Sequence, residues 1–445
     1  MTRYAYFWGC YIQGRLPYLE RSTRLVMQAL GVDIADLEGL SCCPEASMMK
    51  TSDHEAWLLT AARNLSIAEE AGVAFATPCP GCFGTLKGAE VELRGEPAPR
   101  RSVNEGLARI GRAYRGTAEV VHLLDVLYND IGPAALRERV KYPLTGLRVA
   151  VHYGCHLLRP SGELQFDHPF RPRKFDELVE ALGATPVEYE TKMQCCGNLL
   201  LRAGEEDSSQ ALARSKLRDL IQQEADALAV VCPSCMMQFD NVQFLLQRKG
   251  EALHLPAMYF FELVGLALGF DPEELGIFSH RVDPSPFLDK WSDRRRRVDA
   301  VGRHWDYTLV RNCAECGACN RDCPVAQNDP GYDPNALIRL LAEGELEEVV
   351  SSPQLWKCIE CHTCRELCWQ RYGMEEILRT AKRLAMERGL APAAVAEGIG
   401  AFRAKARLVE GSAAQRRKLA LPPLPPAPAE EISRLLARED EGREP

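Results

Sequence analysis

The chain is 445 residues long, 46% hydrophobic and 26% charged, with a net charge of −8 at neutral pH and eighteen cysteines. Length and composition describe an ordinary soluble chain of two or three domains, and the acidic balance argues against a nucleic-acid binder, which is usually basic. The cysteines are too sparse for a small disulfide-stapled scaffold and too many to be incidental.

The N-terminal "MTRYAYFWGC" lacks the long apolar core of a signal peptide. The expected compartment is therefore the reducing cytoplasm, where clustered cysteines indicate metal or redox chemistry. Cys10, in "YFWGCYIQGRLP", precedes an apolar-periodic segment ending in "ALG". "SCCP" then sets Cys42 beside Cys43. Adjacent Cβ vectors diverge, so the pair serves one tetrahedral zinc poorly, and a disulfide between them closes a strained ring. "GVAFATPC" reads as a strand running into "CPGC", with Cys79 and Cys82.

The same order then returns. "GLRVAVHYGC" is a strand ending at Cys155, "KMQCCGNLL" carries Cys195 and Cys196, and "ALAVVCPSC" carries Cys232 and Cys235. The last four lie 153 positions after their counterparts, and Cys155 lies 145 after Cys10. Strands alternating with helical patterns predict α/β units that gather five cysteines per half on loops at one sheet edge. The expected boundaries are 1–145 and 146–283.

The most apolar window, "LHLPAMYFFELVGLALGF", contains His254, Pro256 and Glu262 and predicts a buried helix rather than a membrane span. The charged stretch "WSDRRRRVDA" places an interdomain link at 284–302. From 303 to 420 the pattern is helices with cysteine-rich loops. "CAECGACNRDCP" supplies Cys313, Cys316, Cys319 and Cys323; "CIECHTCRELCW" supplies Cys358, Cys361, Cys364 and Cys368. This is the C-x₂-C-x₂-C-x₃-C run of bacterial two-cubane proteins, in which each run's fourth cysteine serves the other cluster. One [4Fe–4S] cubane is thus assigned to Cys313, Cys316, Cys319 and Cys368, the other to Cys358, Cys361, Cys364 and Cys323. Zinc calls for four ligands in pairs, not two matched quartets. The 34 residues between the runs include the helical "NALIRLLAEGELEEVV", which suits a helical ferredoxin-like domain. Trp369 stands where a proline often follows the last cysteine, a change expected to affect packing more than ligation. "LALPPLPPAPAEE" leads into a proline-rich, charged tail at 421–445, expected to be extended.

Five further cysteines per half exceed the needs of one cubane or one zinc. Adjacent cysteines make sense if the pair spans different irons of one polynuclear cluster; two zinc sites or two ordinary four-ligand clusters are the competing readings. His152 and His156 bracket Cys155, and His54 follows Cys43. A histidine there can supply a proton or a hydrogen bond, and His156 is the foremost candidate. Arg159, Arg173 and Lys192 are candidates for attracting an anionic substrate, with solvated surface charge the plainer reading. No G-x-G-x-x-G fingerprint occurs, so no flavin or nicotinamide site is expected in this chain.

These motifs carry a family resemblance. "GC-x₄-R-x-P…SCCP…CPGC" and "YGCHLLRP…CCG…CPSC" resemble the two CCG-type domains of the heterodisulfide reductase B subunit. "CAECGACNRDCP…LWKCIECHTCRELC" resembles the C subunit of the same family, helical span included. The match covers about residues 1–283 and 303–393. It implies an α/β duplicated CCG-domain unit followed by a mainly α-helical domain with two [4Fe–4S] clusters, fused in one polypeptide. It further implies a noncubane [4Fe–4S] cluster on Cys10, Cys42, Cys43, Cys79 and Cys82, and a second on Cys155, Cys195, Cys196, Cys232 and Cys235. Between them a low-molecular-weight disulfide would be reduced, or formed in reverse, with electrons arriving through the two cubanes. The implied partner is a heterodisulfide reductase A-like flavin and iron–sulfur protein, often in an electron-bifurcating complex and backed by a hydrogenase, a formate dehydrogenase or another donor module. Pro44 stands where the second copy has Gly197, a departure not read as loss of a cluster. One alternative is a pure electron conduit between a flavoprotein and a benzoyl-CoA reductase-type or methylenetetrahydrofolate reductase-type enzyme. Another is a dehydrogenase-linked CCG protein, as in thiol:fumarate reductase or glycerol-3-phosphate dehydrogenase, where the ferredoxin-like part usually comes first rather than last.

Overall fold

The computed structural model describes residues 4–95 and 97–436. Residues 1–3 of the N-terminal stretch and 437–445 of the expected tail lie outside the described residues. The chain divides into two compact units, the first ending at Arg295 and the second beginning at Arg296.

The first unit contains two parallel four-stranded sheets with the same topology. Strands β1 (Tyr4–Tyr6), β2 (Ile34–Ala35), β3 (Ala74–Thr77) and β4 (Val120–His122) are ordered β2-β1-β3-β4. Strands β5 (Arg148–His152), β6 (Thr185–Val187), β7 (Ala227–Val230) and β8 (Ala257–Tyr259) are ordered β6-β5-β7-β8. Parallel strands are covered by helices on both faces and need unbroken apolar runs; "ALAV" of β7 is buried at every position. The registers repeat as well: Tyr6 lies opposite Ala76, and Val151 opposite Ala229. In each sheet the order reverses between the first and third strands. That is the topological switch point, where an open α/β sheet offers a crevice at the strand carboxyl ends.

The halves share one core. The helix Pro17–Ala29 starts on a proline, carries Glu20 in its first turn and buries Leu19, Thr23, Val26 and Met27 along one face. That helix packs on Phe260–Leu268 from the other half. The apolar window expected as a single helix is instead β8 followed by this nine-residue helix. Pro256 has no N–H to continue a helix, and Glu262 folds back to accept the Tyr259 N–H at 2.8 Å, fixing a helix start there. Among the described residues no helix is long and apolar enough to cross a membrane.

Glu262 also meets the equally buried His280, Nε2 to Oε1 at 2.9 Å. Burial pulls the His280 pKa down, but the charge and hydrogen bond of Glu262 outweigh it, leaving the pKa above its ordinary 6.5. The charged ring is the form that binds Glu262. The pair's contribution is therefore complete below the ordinary pKa and is lost as pH rises through the higher folded value. His280→Leu leaves a buried carboxylate without its partner and is expected to cost about 3–5 kcal/mol. In thermal unfolding against pH, its deficit relative to wild type should be largest on the acid side and shrink toward alkaline pH.

The stretch 284–302, expected as a link, is one helix, Ser285–Gly302, whose Phe287, Leu288 and Trp291 belong to the first core. In the second unit Tyr307–Cys316, Pro334–Ala342, Leu346–Ser351 and Met374–Glu387 surround Val310, Leu337, Ile338, Leu341, Val349 and Ile377. No strand occurs there among the described residues. The tail, expected to be extended, is helical over Ala429–Leu436, with acidic residues in the first turn and Arg434 in the last.

Candidate functional site

Four strands deliver cysteines to the switch points. Cys10 follows β1 at the start of the helix Gly9–Arg15, and Cys155 opens Cys155–Leu158 after β5. After β3 and β7, the C-x-x-C pairs straddle the starts of Pro80–Gly95 and Pro233–Met237. There a three-residue spacing sets both sulfurs on one side of the first turn. The doubled cysteines lie in loops and reach in from the flank.

The ten sulfurs form one continuous series. Cys10 and Cys42 are 3.6 Å apart. Cys42 is hydrogen-bonded to Cys43, Cys43 to Cys82, and Cys82 to Cys79. Cys79 is hydrogen-bonded to Cys232 in the other half. From there the order is mirrored: Cys232, Cys235, Cys196, Cys195, Cys155. Under the repeat's offsets the series reads the same from either end, with the equivalent residues Cys79 and Cys232 meeting at its middle. None of the ten is in a disulfide; the central six are buried, Cys155 and Cys195 half-buried, and Cys10 and Cys42 exposed.

Sulfurs that accept from their neighbours are held toward thiolate. Cys43 sits well below its ordinary pKa through Cys42 first and Cys82 second; Cys232 does so through Cys235 and then Cys79. Cys195 is pulled down to about 2 by Cys155 and Cys196. The donors Cys79, Cys82 and Cys235 are pushed up correspondingly. Soft sulfur donors that serve chiefly one another are a ligand set suited to iron–sulfur clusters. Zinc would fill with four of the five in each half.

The first set opens into a cavity of 310 Å³ lined by all five of its cysteines, by Tyr11, Glu45 and Met48, and by Arg202 and Ser234 of the second half. Arg202 stands 3.6 Å from Glu45 and 4.6 Å over the Tyr11 ring. His156 approaches the same carboxylate, Nδ1 to Oε1 at 3.9 Å. Sequence reasoning singles out neither Glu45 nor Arg202. Glu45 follows the doubled cysteine at close range, a signal that could have found it; Arg202 reaches the first half's cavity only through the packing of the halves.

The other candidates separate. His152 is buried against the second set, and its ring lies with Cys196 and Cys235 in a group whose ligand atoms are within 4.8 Å of one another. Burial lowers its pKa to about 3, so the ring is neutral. His54 pairs with Glu92 at 3.0 Å. The three cations expected to draw an anion do not line the cavity. Arg159 donates to the Met193 carbonyl at 3.3 Å, Arg173 pairs with Glu177 at 3.4 Å, and Lys192 pairs with Asp176 and Glu188. Arg173 and Lys192 are paired with carboxylates, whereas the charge of Arg159 reaches Cys155 of the second set; the cation on the cavity wall is Arg202.

In the second unit, Cys323, Cys358, Cys361 and Cys364 line one small cavity, together with Cys319. Cys313 is raised to about 12 by burial and by the nearby charges of Cys368 and Cys316. Cys319 is hydrogen-bonded to Cys364, which also accepts the Glu375 N–H at 3.2 Å and is lowered to about 6, Cys319 being the largest cause. Trp369 is fully exposed.

Comparison with known proteins agrees with this division. The cysteine-rich domain family matches residues 4–87 and 149–240, and the 4Fe-4S dicluster domain family matches 309–371. The chain is 40% identical over 292 residues to the B subunit of the Ferredoxin/F(420)H(2)-dependent CoB-CoM heterodisulfide reductase of Methanosarcina acetivorans, covering 65% of this chain and 97% of that one. It is 34% identical to the 8-methylmenaquinol:fumarate reductase membrane anchor subunit of Wolinella succinogenes, covering 63% and 97%. Over 119 residues it is 29% identical to the iron-sulfur C subunit of the CoB--CoM heterodisulfide reductase of Methanopyrus kandleri, covering 27% of this chain and 59% of that protein. A solved structure of a hypothetical protein from Helicobacter pylori shares the fold, with a TM-score of 0.53 at 18% identity over 63% of this chain and 52% of that one.

Proposed function

The chain belongs to the family of heterodisulfide reductase B subunits and carries a 4Fe-4S dicluster domain, and on that premise we propose that it reduces, or in reverse forms, a low-molecular-weight disulfide. Cys10, Cys42, Cys43, Cys79 and Cys82 hold one noncubane cluster at the reaction site, and Cys155, Cys195, Cys196, Cys232 and Cys235 a second. The eight cysteines of the second unit would hold two cubanes, which would supply one-electron transfer, and a flavoprotein is the proposed partner. When bound, such clusters supply single electrons. Cleaving a disulfide takes two electrons and two protons: the S–S bond breaks, and each sulfur leaves as a thiol.

What carries this reading is the unbroken series of ten sulfurs, with Cys79 of one half against Cys232 of the other. A two-electron cleavage calls for two one-electron centres within reach of one bond, and a duplicated domain folded on its own copy supplies them. The cavity beside Cys10 and Cys42 is the proposed disulfide entrance, with Arg202 giving its wall positive charge and Glu45 orienting that guanidinium. His156, beside Glu45, is the proposed proton donor to a departing sulfur.

The test is anaerobic turnover of a panel of small disulfides with a reduced viologen as donor, alongside iron determination. Two-electron consumption per disulfide is expected. A chain with full iron and no turnover on any disulfide would instead be an electron conduit. His156→Gln should slow turnover by about 100-fold with iron content unchanged, in the range of a lost general acid. An unchanged rate moves proton delivery elsewhere.

A further inference from the structure

The two halves are copies, yet their centres are not electrically alike. His152 and Phe7 occupy one position, each three residues before the lone cysteine and directly after the Tyr6–Ala76 or Val151–Ala229 pairing. Phe7 is buried and packs edge-on against Phe75 at 5.2 Å. His152 is equally buried, at 2% exposure, and packs edge-on against Phe239 at 5.2 Å. Among the described residues neither of its ring nitrogens has a hydrogen-bond partner. A neutral imidazole carries one N–H, and a buried donor without an acceptor is penalised. The ring is grouped with the sulfurs of Cys196 and Cys235.

A second difference lies nearby. Lys216 is fully buried, with its ammonium held by the Thr191 and Lys192 carbonyls; burial lowers its pKa to about 8 against the opposing charges of Cys235, Cys196, Asp219 and Cys155. Its counterpart 153 positions earlier, Arg63, is only partly buried and turns to the Asn64 side chain at 3.3 Å, and the cation beside the first set, Arg202, is paired with Glu45 at 3.6 Å.

We propose that His152 donates a hydrogen bond to sulfur in the second centre, and that this bond, with the buried Lys216 charge, gives that centre a higher reduction potential than the first. Hydrogen bonds to cluster sulfur and nearby positive charge favour the reduced, more negative state. The duplicated site is thereby polarised: the second half takes an electron first, and the first half, which faces the cavity, is the stronger reductant. His152 acts through the centre's electronics and is not a catalytic residue. The inference rests on the reading that both sets hold iron–sulfur clusters.

The experiment is a redox titration followed by electron paramagnetic resonance on the anaerobic full-length chain with its clusters, comparing wild type with His152→Phe, His152→Gln and Phe7→His. Wild type should resolve two potentials for the cysteine-rich unit. His152→Phe should lower the higher one alone, and His152→Gln, which keeps an N–H donor, should lower it less. Phe7→His should raise the lower one. Equal shifts of both potentials, or no shift in His152→Phe with full iron, would overturn the inference. Should His152→Phe lose iron, an unmoved lower potential in Phe7→His would do so. Wild type with iron in the dicluster domain alone would overturn the functional reading itself.

Discussion

Replacing Cys79 or Cys232 with serine is expected to lower disulfide turnover by at least about 100-fold, since losing even a supporting partner of a metal ligand costs 10–100-fold. These two residues occupy the middle of the sulfur series, both buried and in contact across the halves. A serine hydroxyl is a harder and weaker ligand for iron than a thiolate. Each replacement should remove about the four irons of one cluster while leaving the dicluster domain loaded. Cys313→Ser should behave differently: turnover with a small viologen that reaches the first unit directly persists, and turnover with a protein donor falls. Iron content and the two assays on the same preparations separate the cases. A Cys79→Ser chain with full iron and undiminished turnover would remove the first set from the reaction.

Gly9→Ala should empty the first set while Gly154→Ala leaves the second largely intact. The two glycines are counterparts, both with positive φ, at +70° and +79°. An alanine at either position is strained by the positive φ, and at Gly154, where ψ is +143°, it enters a region adopted essentially by glycine alone, at about 1–3 kcal/mol. Their surroundings differ. A Cβ on Gly9 would lie 2.5 Å from the Cys82 sulfur, which is buried and hydrogen-bonded to Cys43 and Cys79, so relieving the clash displaces a member of the sulfur set. A Cβ on Gly154 would meet the Cys232 Cβ at 3.7 Å and the Pro80 ring at 3.8 Å, which is ordinary contact. Iron lost from Gly9→Ala alone, read by metal analysis and the resonance of each centre, is the expected pattern. Equal loss from both would mean that backbone strain, not the sulfur cradle, sets the outcome.

The two substitutions also mark how far local pattern reaches. That each half gathers five cysteines at the carboxyl ends of parallel strands is legible, because "ALAVVCPSC" and "GLRVAVHYGC" place an apolar run directly before a cysteine. A strand cannot deliver that cysteine anywhere but its own end. The apolar window at 253–270 reads wrongly as one helix because hydrophobicity alone does not separate a buried strand from a buried helix. Pro256 and the backfolded Glu262 decide it. For Arg159, Arg173 and Lys192 the chain alone offers substrate attraction beside the plainer reading of solvated surface charge, because the carbonyl that Arg159 meets and the carboxylates that pair with Arg173 and Lys192 are contributed by the tertiary fold or by a helical neighbour.

By itself the amino-acid sequence determined the duplication, the two matched cysteine quintets and the two C-x₂-C-x₂-C-x₃-C runs, since each is written in short-range spacing that survives any arrangement of the domains. Only the tertiary structure decided that the quintets adjoin through Cys79 and Cys232, that Arg202 of one half walls the other half's cavity, and that His152 lies unpartnered against its own half's sulfurs. Those relations depend on contacts such as Pro17–Ala29 against Phe260–Leu268, between segments more than two hundred positions apart. The shape of two buried faces fixes such contacts, and no spacing rule along the chain records it.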